Sequence, residues 1–191
     1  QRIVPLLGLS NSTNVLDVGC GIGRWASAFV GCVNSYHGTD LIPGMIEISK
    51  KKYKNEKNFS FQVLAGQDNR LDQLENPGPY SVVLIAGVAL YLDDKECVQM
   101  YRNILSCCAP SCRIYVREPL ALAERLTLDD VWSEELTSNY SSVYRTRPEL
   151  DKILEEATHN SGFTKPKFEE LYTQDLANRS ETKQYFKVMV R

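Results

Sequence analysis

The chain has 191 residues, of which 43% are hydrophobic and 24% are charged, a composition that is ordinary for a globular protein with a buried core. Its formal net charge of −2 provides no overall basic field, so we expect no nucleic-acid partner. No apolar run approaches the roughly 20 residues that span a bilayer, so the sequence predicts no membrane span.

The first part of the chain alternates apolar runs with helical patterns. Residues 15–18 form a short apolar run closed by glycines and predict a buried strand, and residues 22–30 predict a helix after it. Residues 36–40 predict a second strand, and residues 43–53 predict a second helix that opens with proline. Residues 59–64 alternate as a third strand.

The middle of the chain continues this alternation and then departs from it. Residues 80–86 are the most apolar run and predict a central strand. Residues 93–108 have helical spacing of their apolar side chains, with Asp93 as the expected N-cap. Residues 114–116 predict a fifth strand, and after Glu118 the regular pattern stops.

The last part of the chain predicts one more helix and two strands. The capping-box spacing Thr-Arg-Pro-Glu at residues 146–149 opens a helix that extends to about residue 159. Residues 167–172 and 184–190 predict closing strands that pair as a hairpin across residues 173–183. Strand and helix therefore alternate five times before a hairpin. This order predicts an α/β fold with a doubly wound, mostly parallel seven-stranded sheet, an antiparallel C-terminal hairpin and helices on both faces.

A glycine-rich segment follows the first predicted strand and is the sharpest signal in the sequence. It reads Asp-Val-Gly-Cys-Gly-Ile-Gly-Arg over residues 17–24. Glycines between a strand and a helix allow a tight turn and a close approach of a ligand to the backbone. A dinucleotide-binding loop would need its third glycine at position 24, which is arginine here, and no Gly-Lys-Ser/Thr of a P-loop follows.

This segment resembles the first motif of the class I S-adenosylmethionine-dependent methyltransferases, and the resemblance extends from about Asn14 to the C-terminus. It implies S-adenosyl-L-methionine as the cofactor. It also implies that Asp17 lies near the cofactor amine and that the loop wraps the methionine part. The cofactor contacts expected from this loop are Asp17, Gly19, Cys20, Gly21, Gly23 and Arg24.

Further cofactor contacts are expected after the next three strands. Asp40 ends the second strand, where a carboxylate can accept hydrogen bonds from both ribose hydroxyls. The stretch from Asp40 to Met45 resembles the family's acid-x-x-x-x-Met pattern, which implies that apolar side chains flank the adenine. The resemblance places the other contacts at Leu41 and Met45, at Gly66 with Gln67 or Asp68 near the adenine amino group, and at Ala86 and Gly87 over the sulfonium.

Residues 118–147 are expected to form an insertion or lid beside the acceptor pocket, because ligands bind beyond the carboxyl ends of the strands. Arginines with aromatic residues there indicate an anionic or sugar-like acceptor. A solvated lid whose aromatic residues pack on the core is the alternative that stays open. The expected substrate contacts are Arg117, Arg125, Tyr144 and Arg145, and the expected bases for an alcohol acceptor are Glu118, Tyr140 and Tyr144.

The leading hypothesis is methyl transfer to a small-molecule, sugar or glycan acceptor at oxygen, whether hydroxyl, carboxylate or phosphate. N-methylation of a protein or peptide amine is an alternative, because Cys-Gly-Ile-Gly-Arg also resembles protein N-terminal methyltransferases. A further alternative is a non-catalytic cofactor-binding domain. The sequence lacks the Asn/Asp-Pro-Pro-Tyr pattern seen in enzymes that methylate exocyclic base nitrogens.

We expect residues 1–191 to form one methyltransferase domain. The chain begins with glutamine, so additional domains in a longer protein stay an alternative. Six cysteines and two histidines show no paired Cys-x-x-Cys spacing, so we expect no metal site. Most of the cysteines lie in apolar runs, which favours buried, reduced thiols in a cytoplasmic protein.

Overall fold

The computed structural model describes residues 4–70, 72–134, 137–171 and 181–191. The described helices are α1 (Val4–Leu7), α2 (Pro43–Lys52), α3 (Asp94–Cys107) and α4 (Arg147–Ala157). Short 3₁₀ turns lie at Ala26–Ala28, Gly66–Asp68 and Ala89–Tyr91. The described strands are β1 (Asn14–Val18), β2 (Ser35–Asp40), β3 (Phe59–Val63), β4 (Tyr80–Ala86), β5 (Cys108–Ala121), β6 (Leu126–Ser133), β7 (Ser138–Tyr144), β8 (Glu169–Glu170) and β9 (Thr182–Val190).

Seven of these strands form the central sheet, in the order β3-β2-β1-β4-β5-β9-β8. Strands β1 to β5 are parallel, and β9 is antiparallel to both β5 and β8. The order reverses between β1 and β4, which is the switch point where open α/β sheets bind ligands. The prediction of a doubly wound, mostly parallel sheet with an antiparallel C-terminal pair is confirmed.

Both faces of the sheet are covered, because the buried strands alternate their side chains between two apolar clusters. Val83 and Ile85 of β4 pack with α3 and α4, whereas Leu84 packs with Phe29 and Tyr36 on the opposite face. That second face carries α1, the 3₁₀ turn Ala26–Ala28 and α2. No helix among the described residues is long and apolar enough to cross a membrane.

The predicted helix over residues 22–30 is wrong. The segment forms turns and the 3₁₀ turn Ala26–Ala28. Gly23 and Gly31 have φ values of 70° and 69°, which no α-helix accommodates. Too few residues remain between these glycines for a stable helix. The connection from β3 to β4 also contains only a 3₁₀ turn in its described part, so the alternation is less regular than predicted.

The two predicted helix starts are found where the sequence places them. The Glu96 amide donates to Asp93 Oδ1 at 2.8 Å, and the Asp93 amide donates to Glu96 Oε2 at 2.9 Å, so the N-cap of α3 is confirmed. At the start of α4 the Thr146 amide donates to Glu149 Oε2 at 2.8 Å. These contacts satisfy amides that would otherwise lack an intrahelical partner.

The insertion after β5 contains structure that the sequence analysis did not predict. Strands β6 and β7 pair as an antiparallel ribbon outside the main sheet. Leu126 and Leu128 face inward and pack with Leu90 and Tyr144. A register shift between Leu128 and Val131 interrupts the alternation, which hides the strand from a pattern search.

The C-terminal hairpin differs from its predicted bounds. The described part of the first strand is β8, two residues long, in place of the predicted 167–172. Tyr172 and the connection over residues 173–180 lie outside the described residues. Strand β9 begins at Thr182, before the predicted residue 184.

Candidate functional site

The loops after β1, β2 and β3 meet at one edge of the sheet, because parallel strands place their carboxyl ends together. The amides of Gly19 and Cys20 donate to the Thr39 carbonyl at 2.8 and 2.9 Å. The Leu64 amide donates to the Asp40 carbonyl at 2.9 Å. Backbone hydrogen bonds therefore fix the loop that follows β1 against the end of β2, and fix the end of β2 against β3.

The glycine loop holds the Asp40 side chain from one side. Gly19, Gly21 and Gly23 have φ values of 70°, 54° and 70°. The Gly21 amide donates to Asp40 Oδ2 and the Ile42 amide to Asp40 Oδ1, both at 2.9 Å. Each carboxylate oxygen can accept a second hydrogen bond. Asp40 is therefore oriented by the backbone and keeps capacity for a ligand.

An apolar patch surrounds this carboxylate. Its side chains are exposed, and Leu41 has an exposed fraction of 62%. Met45 lies close to the loop, since its Sδ would be 3.8 Å from a Cβ at Gly21. Exposed apolar side chains beside an oriented carboxylate fit an adenosine, with its apolar ring and two ribose hydroxyls. The patch consists of Ile22, Leu41, Ile42 and Met45.

Asp17 lies beneath the loop and is almost fully buried, with an exposed fraction of 1%. The Tyr36 hydroxyl donates to its Oδ2. Burial raises the pKa of Asp17 to about 7; the hydrogen bond from Tyr36 opposes this rise, and the charge of Asp40 adds to it. The sequence analysis missed Tyr36, although the pairing of Val15 with Tyr36 puts its side chain on the same face as Asp17.

The loop after β3 is held by Asn69, which the sequence analysis also missed. Its Nδ2 donates to the carbonyls of Ala65 and Gly66, at 2.9 and 3.1 Å. Its Oδ1 accepts from Thr39 Oγ1 at 2.9 Å, which ties this loop to β2. Of the residues predicted here, Gln67 is half-buried and Asp68 is exposed.

The other residues predicted from the glycine loop occupy different environments. Arg24 is exposed. Cys20 is buried against Gly38, since a Cβ added at Gly38 would lie only 2.8 Å from the Cys20 Sγ. Burial raises the pKa of the Cys20 thiol well above its usual range. The Gly23 carbonyl accepts from the Tyr53 hydroxyl at 2.7 Å.

The loop after β4 reaches the glycine loop through Val88. The Gly87 amide donates to the Arg117 carbonyl at 2.8 Å, which ties Ala86 and Gly87 to β5. A Cβ at Gly19 would overlap Cγ2 of Val88, and one at Gly66 would lie 3.2 Å from its Cγ1. Val88 therefore packs between two glycines of different loops. The sequence analysis did not single it out.

Glu118 is buried behind this loop, with an exposed fraction of 2%. Its Oε1 accepts hydrogen bonds from the amides of Val88 and Ala89, both at 3.0 Å. Its Oε2 is buried and has no hydrogen-bond partner among the described residues. Burial raises the pKa of Glu118 to about 7, against the opposing effect of the two amides and of Arg117 and Arg145.

Arg145 is as deeply buried as Glu118 and binds three oxygens of the protein. Its Nη1 donates to the Ala89 carbonyl at 2.6 Å and its Nη2 to the Leu92 carbonyl at 2.7 Å. Its Nε donates to Asp94 Oδ1 at 2.8 Å. Arg125 forms a two-pronged pair with the same carboxylate, at 2.8 and 2.9 Å. These contacts, from Arg125 first and Arg145 second, lower the pKa of Asp94 to about 2, although partial burial opposes them.

The remaining predicted acceptor residues lie on β5 and β7. The hydroxyls of Tyr140 and Tyr144 are 3.5 Å apart, with Tyr144 buried and Tyr140 half-buried. Arg117 is half-buried, and its Nε has no hydrogen-bond partner within the described ranges. The structure thus pairs the two tyrosines, but it binds Arg125 and Arg145 to protein carboxylates and carbonyls.

A cavity of about 540 Å³ lies along α3 and α4. Neither the glycine loop nor Asp40 contributes to its lining. Salt bridges join Arg102 to Glu156 and Arg125 to Glu149 in this wall, at 3.2 and 3.6 Å. We therefore place the candidate site at the glycine loop, where the oriented carboxylate and the apolar patch lie together.

Comparison with known proteins identifies the family of the chain. A family profile described as a methyltransferase domain matches residues 15–111, about half of the chain. A non-reducing polyketide synthase from Penicillium rubens is 27% identical over 122 residues, which cover 57% of this chain and 4% of the synthase.

Solved methyltransferase structures share the fold at low sequence identity. A S-adenosylmethionine-dependent methyltransferase from Leishmania major is 19% identical, with a TM-score of 0.67 and coverage of 95% of this chain and 65% of that one. One from Methanosarcina mazei is 12% identical, with a TM-score of 0.72 and coverage of 100% and 97%. A 1,6-didemethyltoxoflavin N1-methyltransferase from Burkholderia thailandensis, solved with S-adenosylhomocysteine, is 13% identical, with a TM-score of 0.73 and coverage of 100% and 75%. The chain thus spans less than two thirds of the Leishmania protein and a small fraction of the synthase.

Proposed function

The chain belongs to the methyltransferase domain family, and we propose that it transfers a methyl group from S-adenosylmethionine to an oxygen of a small-molecule, sugar or glycan acceptor. The observation that carries this proposal is the Asp40 carboxylate, oriented by two backbone amides beside an exposed apolar patch. It has the chemistry that an adenosine requires.

The proposed cofactor contacts follow from this geometry. Asp40 accepts hydrogen bonds from the ribose hydroxyls, and the apolar patch flanks the adenine. Asp17 supplies negative charge beneath the loop for the amine of the methionine part. When bound, S-adenosylmethionine supplies an electrophilic methyl group, so the protein needs chiefly to hold the acceptor oxygen in line with it.

The proposed acceptor contacts are fewer than the sequence alone predicts. Arg117 is the proposed partner of an anionic acceptor, because its Nε has no partner among the described residues. The hydroxyls of Tyr140 and Tyr144 are the proposed contacts for an alcohol acceptor. Arg125 and Arg145 already bind Asp94, so any contact of theirs with an acceptor would compete with a protein carboxylate. The burial of Glu118 supports a role other than that of a base.

N-methylation of a protein or peptide amine is a second proposal, and one observation favours it. Exposed acidic side chains lie on the ribbon, at Asp129, Asp130 and Glu134. An amine acceptor approaches as a cation, and exposed carboxylates attract cations. Two of the arginines that would repel such an acceptor are already paired with acids: Arg145 with Asp94, and Arg125 with both Asp94 and Glu149.

We also propose that residues 1–191 form one domain in which 118–147 are the acceptor-side insertion. The short match within a much longer polyketide synthase supports the alternative that such a domain functions inside a larger polypeptide. In one version of that alternative, the domain binds the cofactor but does not catalyse methyl transfer. A cytoplasmic location is proposed because all six cysteines are free thiols.

Isothermal titration with S-adenosylhomocysteine tests the cofactor site. Each charge-assisted hydrogen bond contributes on the order of 1.5–3 kcal/mol, so we expect Asp40→Ala to weaken binding by roughly a hundredfold or more. Asp40→Asn, which keeps one acceptor oxygen, should lie between. Equal binding by Asp40→Ala and the unmodified chain would contradict the proposed site.

Methyl transfer from radiolabelled S-adenosylmethionine then separates the two acceptor proposals. Anionic sugars and phosphates are screened beside lysine-containing and N-terminal peptides. Labelling of the sugars alone supports transfer to oxygen, and labelling of the peptides alone supports the amine alternative. Cofactor binding without labelling of any acceptor class would favour the non-catalytic domain.

A further inference from the structure

The backbone turn after β4, residues 88–92, is held from two sides by buried charged groups. On one side Glu118 Oε1 accepts from the amides of Val88 and Ala89. On the other, Arg145 donates to the carbonyls of Ala89 and Leu92. One carboxylate thus binds donors of the turn while one guanidinium binds its acceptors. Such charge-assisted hydrogen bonds are stronger than those between neutral groups.

The side chain at the start of this 88–92 turn reaches the cofactor loops. A Cβ added at Gly19 would overlap Cγ2 of Val88. A Cβ added at Gly66 would lie 3.2 Å from Cγ1 of the same side chain. Gly19 belongs to the loop after β1 and Gly66 to the loop after β3. A displacement of the Val88 backbone would therefore move the surface on which both loops pack.

The position of Glu118 along β5 does not suit direct contact with an acceptor. Side chains two residues apart on a strand share a face. Val116 and Leu120 both belong to the buried cluster on the α3 and α4 face, so Glu118 points the same way. Burial and, after it, the charge of Glu118 raise the pKa of Tyr101, a residue of α3 whose hydroxyl has no hydrogen-bond partner in the described part of the chain.

We infer that Glu118 is a positioning residue, which holds the 88–92 turn so that Val88 supports the glycine loop around the cofactor. This inference rests on the proposed function for its cofactor. It replaces the expectation that Glu118 removes a proton from the acceptor. The atom that matters is then the Oε1 acceptor, which a neutral amide oxygen can replace with a small loss of hydrogen-bond strength.

Two substitutions at Glu118 separate the two roles. Glu118→Gln keeps a carbonyl oxygen that can accept from both amides, whereas Glu118→Ala removes it. We expect Glu118→Gln to bind S-adenosylhomocysteine within about threefold of the unmodified chain, and Glu118→Ala to bind about tenfold more weakly or worse. Val88→Ala, which leaves the turn hydrogen bonds intact, should weaken binding severalfold and guards against misfolding of Glu118→Ala. Arg102→Gln, which removes an exposed salt bridge on α3, is the matched control.

Hydrogen exchange of the Val88 and Ala89 amides measures how stably their hydrogen bonds to Glu118 are formed, and it needs no cofactor. Faster exchange in Glu118→Ala, but not in Glu118→Gln or Arg102→Gln, is expected. If the unmodified chain fails to bind S-adenosylhomocysteine, the proposed function fails, while the exchange rates still report on the turn. Unchanged exchange in Glu118→Ala would overturn the inference.

Two further outcomes would also overturn it. In the first, Glu118→Gln loses methyl transfer by about a hundredfold or more while its binding of S-adenosylhomocysteine is unchanged, as a general base requires. In the second, Glu118→Ala has a lower melting temperature but binds S-adenosylhomocysteine as the unmodified chain does. The residue would then be structural only.

Discussion

At the edge formed by β1, β2 and β3, the Asp40 carboxylate is oriented by backbone amides and lies beside exposed apolar side chains. In the insertion, the Arg145 guanidinium is buried and binds three oxygens of the protein. Both residues were predicted to bind ligands. Only the first combines an oriented charged group with an exposed surface on which a ligand can rest.

The difference follows from how each region is held. The loops after β1 and β2 are fixed in part by backbone hydrogen bonds, such as those from Gly19 and Cys20 to Thr39, and the Asp40 carboxylate keeps capacity for a ligand. The described part of the insertion contributes Tyr144 to a small apolar cluster with Leu90, and ion pairs with Asp94 join it to α3. A buried cation is tolerated only when it is paired, so the guanidinium is bound by the fold itself.

Arg145→Ala is the substitution with the largest expected effect on this comparison. It removes the buried guanidinium that donates to the carbonyls of Ala89 and Leu92 and pairs with Asp94, and we expect a loss of about 3–5 kcal/mol in the free energy of unfolding. Urea denaturation measures it, with Arg102→Gln as the exposed control. A stable Arg145→Ala variant that loses only acceptor binding would break the comparison, because the insertion would then present its arginine to a ligand.

Gly19→Ala probes the other region, where the backbone itself is constrained. Its φ of 70° costs a residue with a side chain about 1–2 kcal/mol, and the added Cβ overlaps Val88. We expect a loss of about 2–3 kcal/mol in the free energy of unfolding and loss of binding to S-adenosylhomocysteine. Gly44→Ala, at an open helical position of α2, should be as stable as the unmodified chain. Equal losses in the two variants would remove the role given to Val88.

The pH dependence of stability sharpens the comparison, because each region contains one buried acid. Asp17 and Glu118 have folded-state pKa values of about 7, above the ordinary values near 4, so between these values the folded state binds more protons than the unfolded state. The free energy of unfolding should therefore be greatest near pH 4 and should fall as the pH rises through about 7. In the Asp17→Asn variant, the free energy of unfolding should fall less over this pH range, by on the order of 2 kcal/mol.

Cofactor binding should follow the opposite trend. The amine of the methionine part favours the ionised form of Asp17, so affinity for S-adenosylhomocysteine should rise between pH 6 and pH 8. Titrations at several pH values measure this trend. An affinity that does not depend on pH, or that Asp17→Asn leaves unchanged, would mean that the carboxyl does not face the amine.

Arg125→Gln should have the smallest effect on stability. Its ion pair with Asp94 is partly exposed, with side-chain exposed fractions of 35% and 49%, and such pairs contribute about 1 kcal/mol or less. The loss should shrink further in high salt. A change in the acceptor KM without a change in stability would instead assign Arg125 to the acceptor. A loss comparable to that of Arg145→Ala would contradict the distinction between exposed and buried arginines.

The degree to which each element could be predicted depends on how local its cause is. The turn after β1 and the cap of α3 arise from residues next to one another, namely the glycines from Gly19 to Gly23 and the pair Asp93 and Glu96. The ribbon was missed because its two strands stabilise each other across a register shift that interrupts the alternation of β6. Tyr36 and Asn69 were missed because each acts on a residue distant in sequence, Asp17 and Thr39 respectively.

The sequence by itself determined the doubly wound sheet and the glycine loop, since apolar periodicity and glycine spacing act within a few residues. Only the tertiary structure decided what the charged residues of the insertion do. A charged side chain binds whichever opposite charge or backbone group the fold brings near it, and burial then makes that contact obligatory. For that reason one predicted ligand-binding charge, Asp40, lies beside an exposed apolar patch, whereas Glu118 and Arg145 bind the 88–92 turn.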